Sequence, residues 1–400
     1  MPNKVERLLQ PAAPLFELWE HTKKNGTNFY NQPIQEFLDE GKVLVGGKVM
    51  GMYASYSYLG LLGHPRIKAA ATRAIEEYGT GTHGVRFLAG TLPIHDELEQ
   101  TIADFKHAET AITYSSGYVT NITFISSFLG RRDYVFSDKL NHASIVDGCK
   151  MSGAEFKRFN HRDMEHLERR LKETPADANK IVVADAVFSM DGDIIDLPRL
   201  AELCEEYDAL LMIDEAHSLG VLGKTGRGIE EHFGLNGVID LKMGTLSKTI
   251  PSVGGYVAGK KKIIDFLRII SRAYIFSAAL PPAQAAAANE SFKVILDETE
   301  RIGKLAANTE QFISGLQACG FDTLDTETAI VPVLCGSIEN ALQMTKYAQE
   351  NGVFVLPVIS PAVPPGLERL RATVTAAHKP EEIGRAIEIL HEGGKKVGIL

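Results

Sequence analysis

Short apolar runs recur through the middle of the chain, separated by longer stretches in which apolar residues return every three or four positions. Runs of the first kind predict strands over residues 110–114, 134–137, 180–184, 210–214, 241–244 and 255–258. Stretches of the second kind predict intervening helices, among them 161–173 and 198–207. This alternation implies an α/β fold, with a mostly parallel central sheet covered by helices on both faces. Upstream, Pro14, Leu15, Phe16, Leu18 and Trp19 mark an amphipathic helix over 13–24, and residues 43–53 alternate like a hairpin broken at Gly46-Gly47. A helix follows Pro65 to about Tyr78, with Ile67, Ala70, Ala71 and Ile75 on one face. Past Pro281-Pro282 the pattern changes. An alanine-rich helix over 283–296 leads into helix, strand 330–334, helix 339–351, strand 353–356, strand 370–375 and helix 379–392, a smaller α+β block. The expected organisation is an N-terminal helix and hairpin segment over 1–50, a large domain over 51–285 and a C-terminal α+β domain over 286–400.

Composition narrows the function classes. With 44% hydrophobic and 23% charged residues, the chain is an ordinary globular sequence, and its net charge of -9 argues against a nucleic-acid footprint. Cys149, Cys204, Cys319 and Cys335 form no C-x-x-C pair, so neither a zinc site nor a disulfide framework is expected, and a cytoplasmic location is. The first residues lack a basic-then-apolar leader pattern, and no apolar run reaches membrane-spanning length. Two glycine motifs are decoys. Gly79-Thr80-Gly81-Thr82-His83-Gly84 follows a helix rather than a strand, and Gly223-Lys224-Thr225 has Ser218 where a P-loop needs glycine.

The chemistry gathers at predicted strand ends. Thr245-Leu246-Ser247-Lys248 follows one strand, and Asp214-Glu215-Ala216-His217 ends the one before it. Taken singly, a Ser-Lys pair is usually solvated and an aspartate after a strand is usually a cap. Together, at strand–helix–strand spacing, they are what pyridoxal 5'-phosphate (PLP) requires: a lysine for the Schiff base and an aspartate that keeps the pyridine nitrogen protonated. Ser116, Gly117 and Tyr118 open a helix after another strand, where backbone N–H groups suit a phosphate. His142 is placed to stack on a planar ring, and Ser189 and His217 to reach its substituents. All fall at the carboxyl ends of strands, where open α/β sheets bind ligands.

These motifs, with Ser57-Tyr58-Leu59-Gly60-Leu61, Arg86-Phe87-Leu88-Ala89-Gly90-Thr91, His95-Asp96-Glu97-Leu98-Glu99, Phe276-Ser277-Ala278 and Arg369-Leu370-Arg371, resemble the α-oxoamine synthases of the fold-type I PLP enzymes over nearly the whole chain. The wording is most similar to serine palmitoyltransferase-type members. The resemblance implies PLP as cofactor and condensation of a small amino acid with an acyl thioester, giving an α-amino ketone, CO2 and free thiol. Other fold-type I chemistry, of the aminotransferase or glycine C-acetyltransferase/lyase type, is the alternative. It implies Lys248 as Schiff-base lysine and base, Asp214 on the pyridinium and His142 on the ring face. His217 and Ser189 would meet the ring oxygen. Gly117, Tyr118, Thr245 and Ser247 would hold or flank the phosphate, with Ser277 reaching the neighbouring subunit's phosphate in a homodimer. Arg371 would grip the amino acid carboxylate. Two positions depart from the family: Tyr56 stands where asparagine is usual, and Val85, after His83-Gly84, where a small or hydroxylic residue is frequent. The expectation is that Tyr56, His83 and Val85 bear on substrate choice.

Overall fold

A computed structural model describes residues 3–38 and 41–400; residues 1, 2, 39 and 40, including the first two residues read for a leader and two of the expected N-terminal segment, lie outside the described residues. Helices Lys4–Leu9 and Ala13–Lys24 precede three antiparallel strands, β1 (Ile34–Phe37), β2 (Lys42–Val45) and β3 (Lys48–Met52). The glycine pair Gly46-Gly47 makes the turn between β2 and β3, both residues at positive φ, as a two-residue hairpin requires. The central sheet has seven strands: β4 (Thr110–Tyr114), β5 (Tyr134–Asp138), β6 (Glu155–Phe159), β7 (Lys180–Asp185), β8 (Ala209–Asp214), β9 (Leu241–Thr245) and β10 (Gly255–Gly259), in the order β4-β10-β9-β8-β7-β5-β6. The pairs from β9 to β6 are parallel, and β10 runs antiparallel to both neighbours. Strands β4 to β9 therefore all end at one edge of the sheet, and β10 begins there.

Both faces are covered. Val182 and Ile213 pack in one apolar cluster with Leu98, Ile102 and Phe292, while their neighbours Val183 and Met212 pack in another with Phe124, Ile145 and Leu267. Successive strand side chains point to opposite faces, so two covered faces turn alternation into a continuous apolar run. That is why β7 and β8 were visible as runs. Strand β6 breaks the rule and was not expected. Its Glu155, Lys157 and Arg158 belong to an edge strand, where charge is compatible with a sheet.

The C-terminal block contains β11 (Ile330–Leu334), β12 (Val353–Phe354), β13 (Leu356–Val358) and β14 (Arg369–Thr373). The single strand expected over 353–356 is in fact two. β12 pairs in parallel with β3, while β13 pairs with β14, so the chain changes sheets at Val355. This crossing ties the N-terminal hairpin to the C-terminal block and places β14, which carries Arg371, near the end of β7.

One close packing governs the site's geometry. Helix Gly117–Phe128 starts against β9 and β10: a Cβ on Gly117 would stand 2.8 Å from Thr245 Oγ1, and one on Gly255 would stand 2.8 Å from Gly117 Cα. Only glycine at both positions lets the helix end approach the strands. Gly255→Ala is expected to cost about 1–3 kcal/mol by overpacking, read as a lower thermal midpoint, and to weaken PLP binding; an unchanged midpoint and affinity would show that the helix end has room to shift.

Candidate active site

Lys248 sits on the turn between β9 and β10. Its Nζ lies 2.7 Å from His217 Nε2, and His217 Nδ1 lies 2.6 Å from the Tyr58 hydroxyl. Burial lowers the Lys248 pKa to about 8, and Arg371 pushes in the same direction, while Asp214 and Asp185 oppose them. Burial also holds His217 well below the usual histidine range and pushes the Tyr58 hydroxyl up. A neutral imidazole donates from one nitrogen and accepts at the other. With Lys248 as a free amine, Tyr58 donates to Nδ1 and Nε2–H donates to Nζ. With Lys248 protonated, both links reverse. The chain thus satisfies its buried members in either state of the lysine.

Asp214 ends β8 and is buried. One oxygen accepts the Asn121 side-chain N–H at 2.7 Å, and the other accepts the Ala216 backbone N–H at 2.9 Å. Asn121 comes from helix Gly117–Phe128, one turn below its start, and also reaches Ser144 Oγ at 2.9 Å. Asp185 stands beside Asp214 across the β7–β8 ladder and accepts the His142 backbone N–H at 2.8 Å. Burial, then the neighbouring Asp214 charge, pushes the Asp185 pKa up. The His142 imidazole is fixed by Ser144, with Nδ1 2.7 Å from Oγ, and meets the Tyr118 ring edge-on at 6.2 Å. Tyr118 in turn bonds Asp147.

The helix start is capped by Ser116, whose Oγ accepts the Val119 N–H at 3.2 Å. Thr245 and Ser247 face each other there, their hydroxyls 2.9 Å apart. Arg371 is buried behind Lys248. Its Nε donates to the Ser189 carbonyl at 2.6 Å and Nη1 to Thr373 Oγ1 at 3.2 Å, while Nη2 has no partner among the described residues. The Tyr56 ring lies beside both cations, its centroid 4.9 Å from Arg371 Cζ and 5.7 Å from Lys248 Nζ, and meets His217 edge-on. A cavity of 470 Å³ opens beside Lys248, lined mainly by apolar side chains, among them Phe29, Phe37, Met52, Leu62, Phe354 and Leu356.

The fold thus brings together Lys248, Asp214, His217, His142, Arg371, Tyr56 and the backbone of Ser189, with Ser116, Gly117, Thr245 and Ser247 at one end. It does not bring Ser277, His83 or Val85 into this cluster within one chain. Val85 forms an isolated bridge with Ala278, and the Gly84 carbonyl accepts the Ala279 N–H at 3.0 Å, so this loop sits beside Ser277 instead. Asp185 and Asn121 were missed. Asp185 had a signal, an aspartate closing an apolar run as Asp214 does; Asn121 had none, because its partner is 93 positions away.

Residues 49–390 match the family described as aminotransferase class I and II. An 8-amino-7-oxononanoate synthase of Treponema denticola is 44% identical over 362 residues, covering 90% of this chain and 92% of that protein. A serine palmitoyltransferase of Sphingobacterium spiritivorum is 41% identical over 373 residues, with 93% of each covered. A solved structure of an S. paucimobilis serine palmitoyltransferase with bound PLP superimposes with a TM-score of 0.95 at 34% identity, over 98% of this chain and all of that one. The chain belongs to this family as an α-oxoamine synthase. It is a PLP-dependent acyltransferase with the fold-type I architecture.

The residues present fit that cofactor. Lys248 is a half-buried amine with a lowered pKa, Asp214 a buried carboxylate held from two sides, and the helix start at Gly117 packs so closely on Thr245 that a Cβ there would stand 2.8 Å from its Oγ1. Asn121 Oδ1 and Arg371 Nη2 are buried without partners among the described residues, as expected of a site shaped for further polar groups.

The lowered Lys248 pKa has a thermodynamic signature. Between about pH 8 and the ordinary lysine value of 10.5 the unfolded chain binds more protons there than the folded one, so stability rises with pH across that window. The penalty is full below about pH 8. With PLP removed, Lys248→Met is expected to be the more stable protein at neutral pH, the gap closing as pH approaches 10.5. Thermal unfolding of both proteins against pH reads this; a gap that does not change with pH contradicts it.

Proposed function

We propose that this α-oxoamine synthase joins a small amino acid to an acyl thioester, with loss of CO2 and thiol, and releases an α-amino ketone. The observation that carries the reading is the pairing of a lysine amine, lowered to a pKa of about 8, with a buried guanidinium whose Nη2 is unmet, both beside the Tyr56 ring. PLP, joined to Lys248, supplies the electron sink that makes a carbanion beside the amino acid carboxylate accessible.

The chain's own groups do the rest. Asp214, oriented by Asn121, holds a proton on the pyridine nitrogen. His142 covers one ring face, and His217 and Ser189 serve the ring oxygen. The amides at Ser116, Gly117 and Tyr118, with Thr245 and Ser247, hold the phosphate. Arg371 binds the amino acid carboxylate through Nη2, which places the Cα proton toward Lys248. Lys248 accepts that proton as a free amine, a role suited to a pKa near working pH. The apolar cavity would take the acyl chain and keep water from the reacting atoms. Ser277, beside exposed Phe276 and Leu88, is proposed to act across a homodimer interface, with His83 and Val85 on the same side. Tyr56 is proposed to set the amino acid choice, because any side chain on the substrate's Cα must share the space beside its ring.

Thiol release from an acyl-CoA, with a panel of amino acids, tests the reaction; thiol-free transamination of the same panel would contradict it. Lys248→Ala is expected to abolish turnover and the visible absorbance of the Schiff base. Arg371→Lys is expected to raise the amino acid KM by roughly 10–100-fold, the cost of a charged hydrogen bond, with the cofactor spectrum intact. Tyr56→Asn is expected to change the ranking of amino acids; an unchanged ranking removes Tyr56 from substrate selection.

A further inference from the structure

The turn that carries Ser189 is held from two sides. Residues 187–194 close on themselves through the Val187–Ile194 bridge, and the Phe188 N–H donates to the Asp193 carbonyl at 3.1 Å. From the C-terminal block come two arginines of β14. Arg371 Nε donates to the Ser189 carbonyl, and Arg369 reaches the Met190 carbonyl at 3.2 Å and the Asp191 carboxylate. From the other side comes His161, in the loop that follows β6. Its Nε2 lies 2.7 Å from Asp193 Oδ2 and its Nδ1 3.1 Å from Asp138 Oδ1. The ring also meets Phe188 edge-on, with centroids 4.4 Å apart.

Two carboxylates on the two nitrogens decide the charge of this ring. An ionised carboxylate only accepts, so both nitrogens must donate, and that requires the imidazolium. Burial works against the charge, but the Asp138 and Asp193 carboxylates outweigh it and raise the His161 pKa to about 9. The other charged groups at this place are matched among themselves. Arg162 Nη1 lies 3.2 Å from Asp193 and Nη2 3.5 Å from Glu327, and Arg369 is paired with Asp191. His161, Asp191 and Asp193 are close enough together for a metal ion, but both ring nitrogens are spent on carboxylates and both carboxylates carry an arginine. Asp138, the second anchor, ends β5 and shapes the turn toward His142, its carboxylate accepting the Leu140 and Arg162 N–H groups at 2.8 and 2.9 Å. His161 therefore spans the two strand ends that lead to His142 and to Ser189.

We propose that His161 is a positioning residue for amino acid binding: its imidazolium ties the Ser189 turn to β5 and so holds the carbonyl that aims Arg371 at the substrate carboxylate. The inference rests on the reading of Arg371 as the carboxylate-binding group. As pH rises through about 9 the ring loses a proton, one carboxylate then faces a lone pair, and the turn is released on that side. Arg371 is then aimed less well.

The test is the amino acid affinity of the holoenzyme, read by titrating its visible absorbance with the amino acid preferred in thiol release. Near neutral pH, His161→Gln is expected to raise the dissociation constant about tenfold, short of the roughly hundredfold that a misplacement of about an ångström can cost, while kcat changes by less than about twofold. The ratio of variant to wild type is expected to fall toward one as pH passes about 9, because the wild-type ring then also loses its charge. Taking the ratio cancels the titration of the substrate amine and of the cofactor. Asp193→Asn removes one of the two carboxylates, so its alkaline loss of affinity is expected at lower pH than in the wild type. An unchanged dissociation constant in His161→Gln, a loss that stays constant across this range, or a loss confined to kcat overturns the positioning role. Should His161→Gln not fold, Asp193→Asn carries the test, and an alkaline loss at the wild-type pH overturns the proposal. If Arg371→Lys also leaves amino acid binding unchanged, it is the reading of Arg371 that falls instead.

Discussion

The arrangement depends on the cost of burying charge at the carboxyl edge of a sheet whose two faces are both covered. Lys248, Asp214, Asp185 and Arg371 all stand at that edge, largely out of water. An isolated ion there would be prohibitive, so each is held by partners or shifted in pKa. Desolvation draws the lysine down toward its free amine, while the two carboxylates resist. The balance leaves an amine that titrates near working pH, at about 8, while it sits among charges, so its free form is accessible to act as nucleophile and base.

The support extends one layer further out. Glu215, directly after Asp214, is buried and bonded to Lys106 at 2.6 Å, to Ser218 Oγ at 2.8 Å and to the Ile229 N–H at 3.0 Å. A Cβ on Gly228 would stand 1.7 Å from its carboxylate. The turn from Asp214 to His217 is therefore pinned from below by an ion pair that does not itself face the cavity. Removing one partner of such a pair leaves a buried charge unpaired, which is far costlier than the pair is stabilising. On the other side, the close approach of Gly117 to Thr245 and Gly255 fixes the helix start, and with it Asn121 and the orientation of Asp214.

Much of this was legible in the chain. Six of the seven central strands announce themselves as apolar runs, because strands covered on both faces have no room for alternation. The edge strand Glu155–Phe159 escaped for the converse reason, since its solvent-side charges dilute the run. Lys248, Asp214, His142 and His217 were readable because strand ends repeat the same grammar of apolar run followed by polar group. Tyr58 was visible in a motif but not as the third member of a hydrogen-bonded chain with His217 and Lys248, whose partners lie 159 and 31 positions apart.

What the sequence determined by itself was local: where strands begin and end, which residue types follow them, and hence the cofactor chemistry they suit. Those are consequences of burial period and residue identity, and both are properties of short segments. Only the tertiary structure decided which of those groups meet. It placed Tyr56 beside both Arg371 and Lys248, put Asp185 beside Asp214, and left Val85 bridged to Ala278 rather than at the lysine. It also set the Lys248 pKa, because desolvation is a sum over every group packed around the amine, drawn from segments that no local pattern connects.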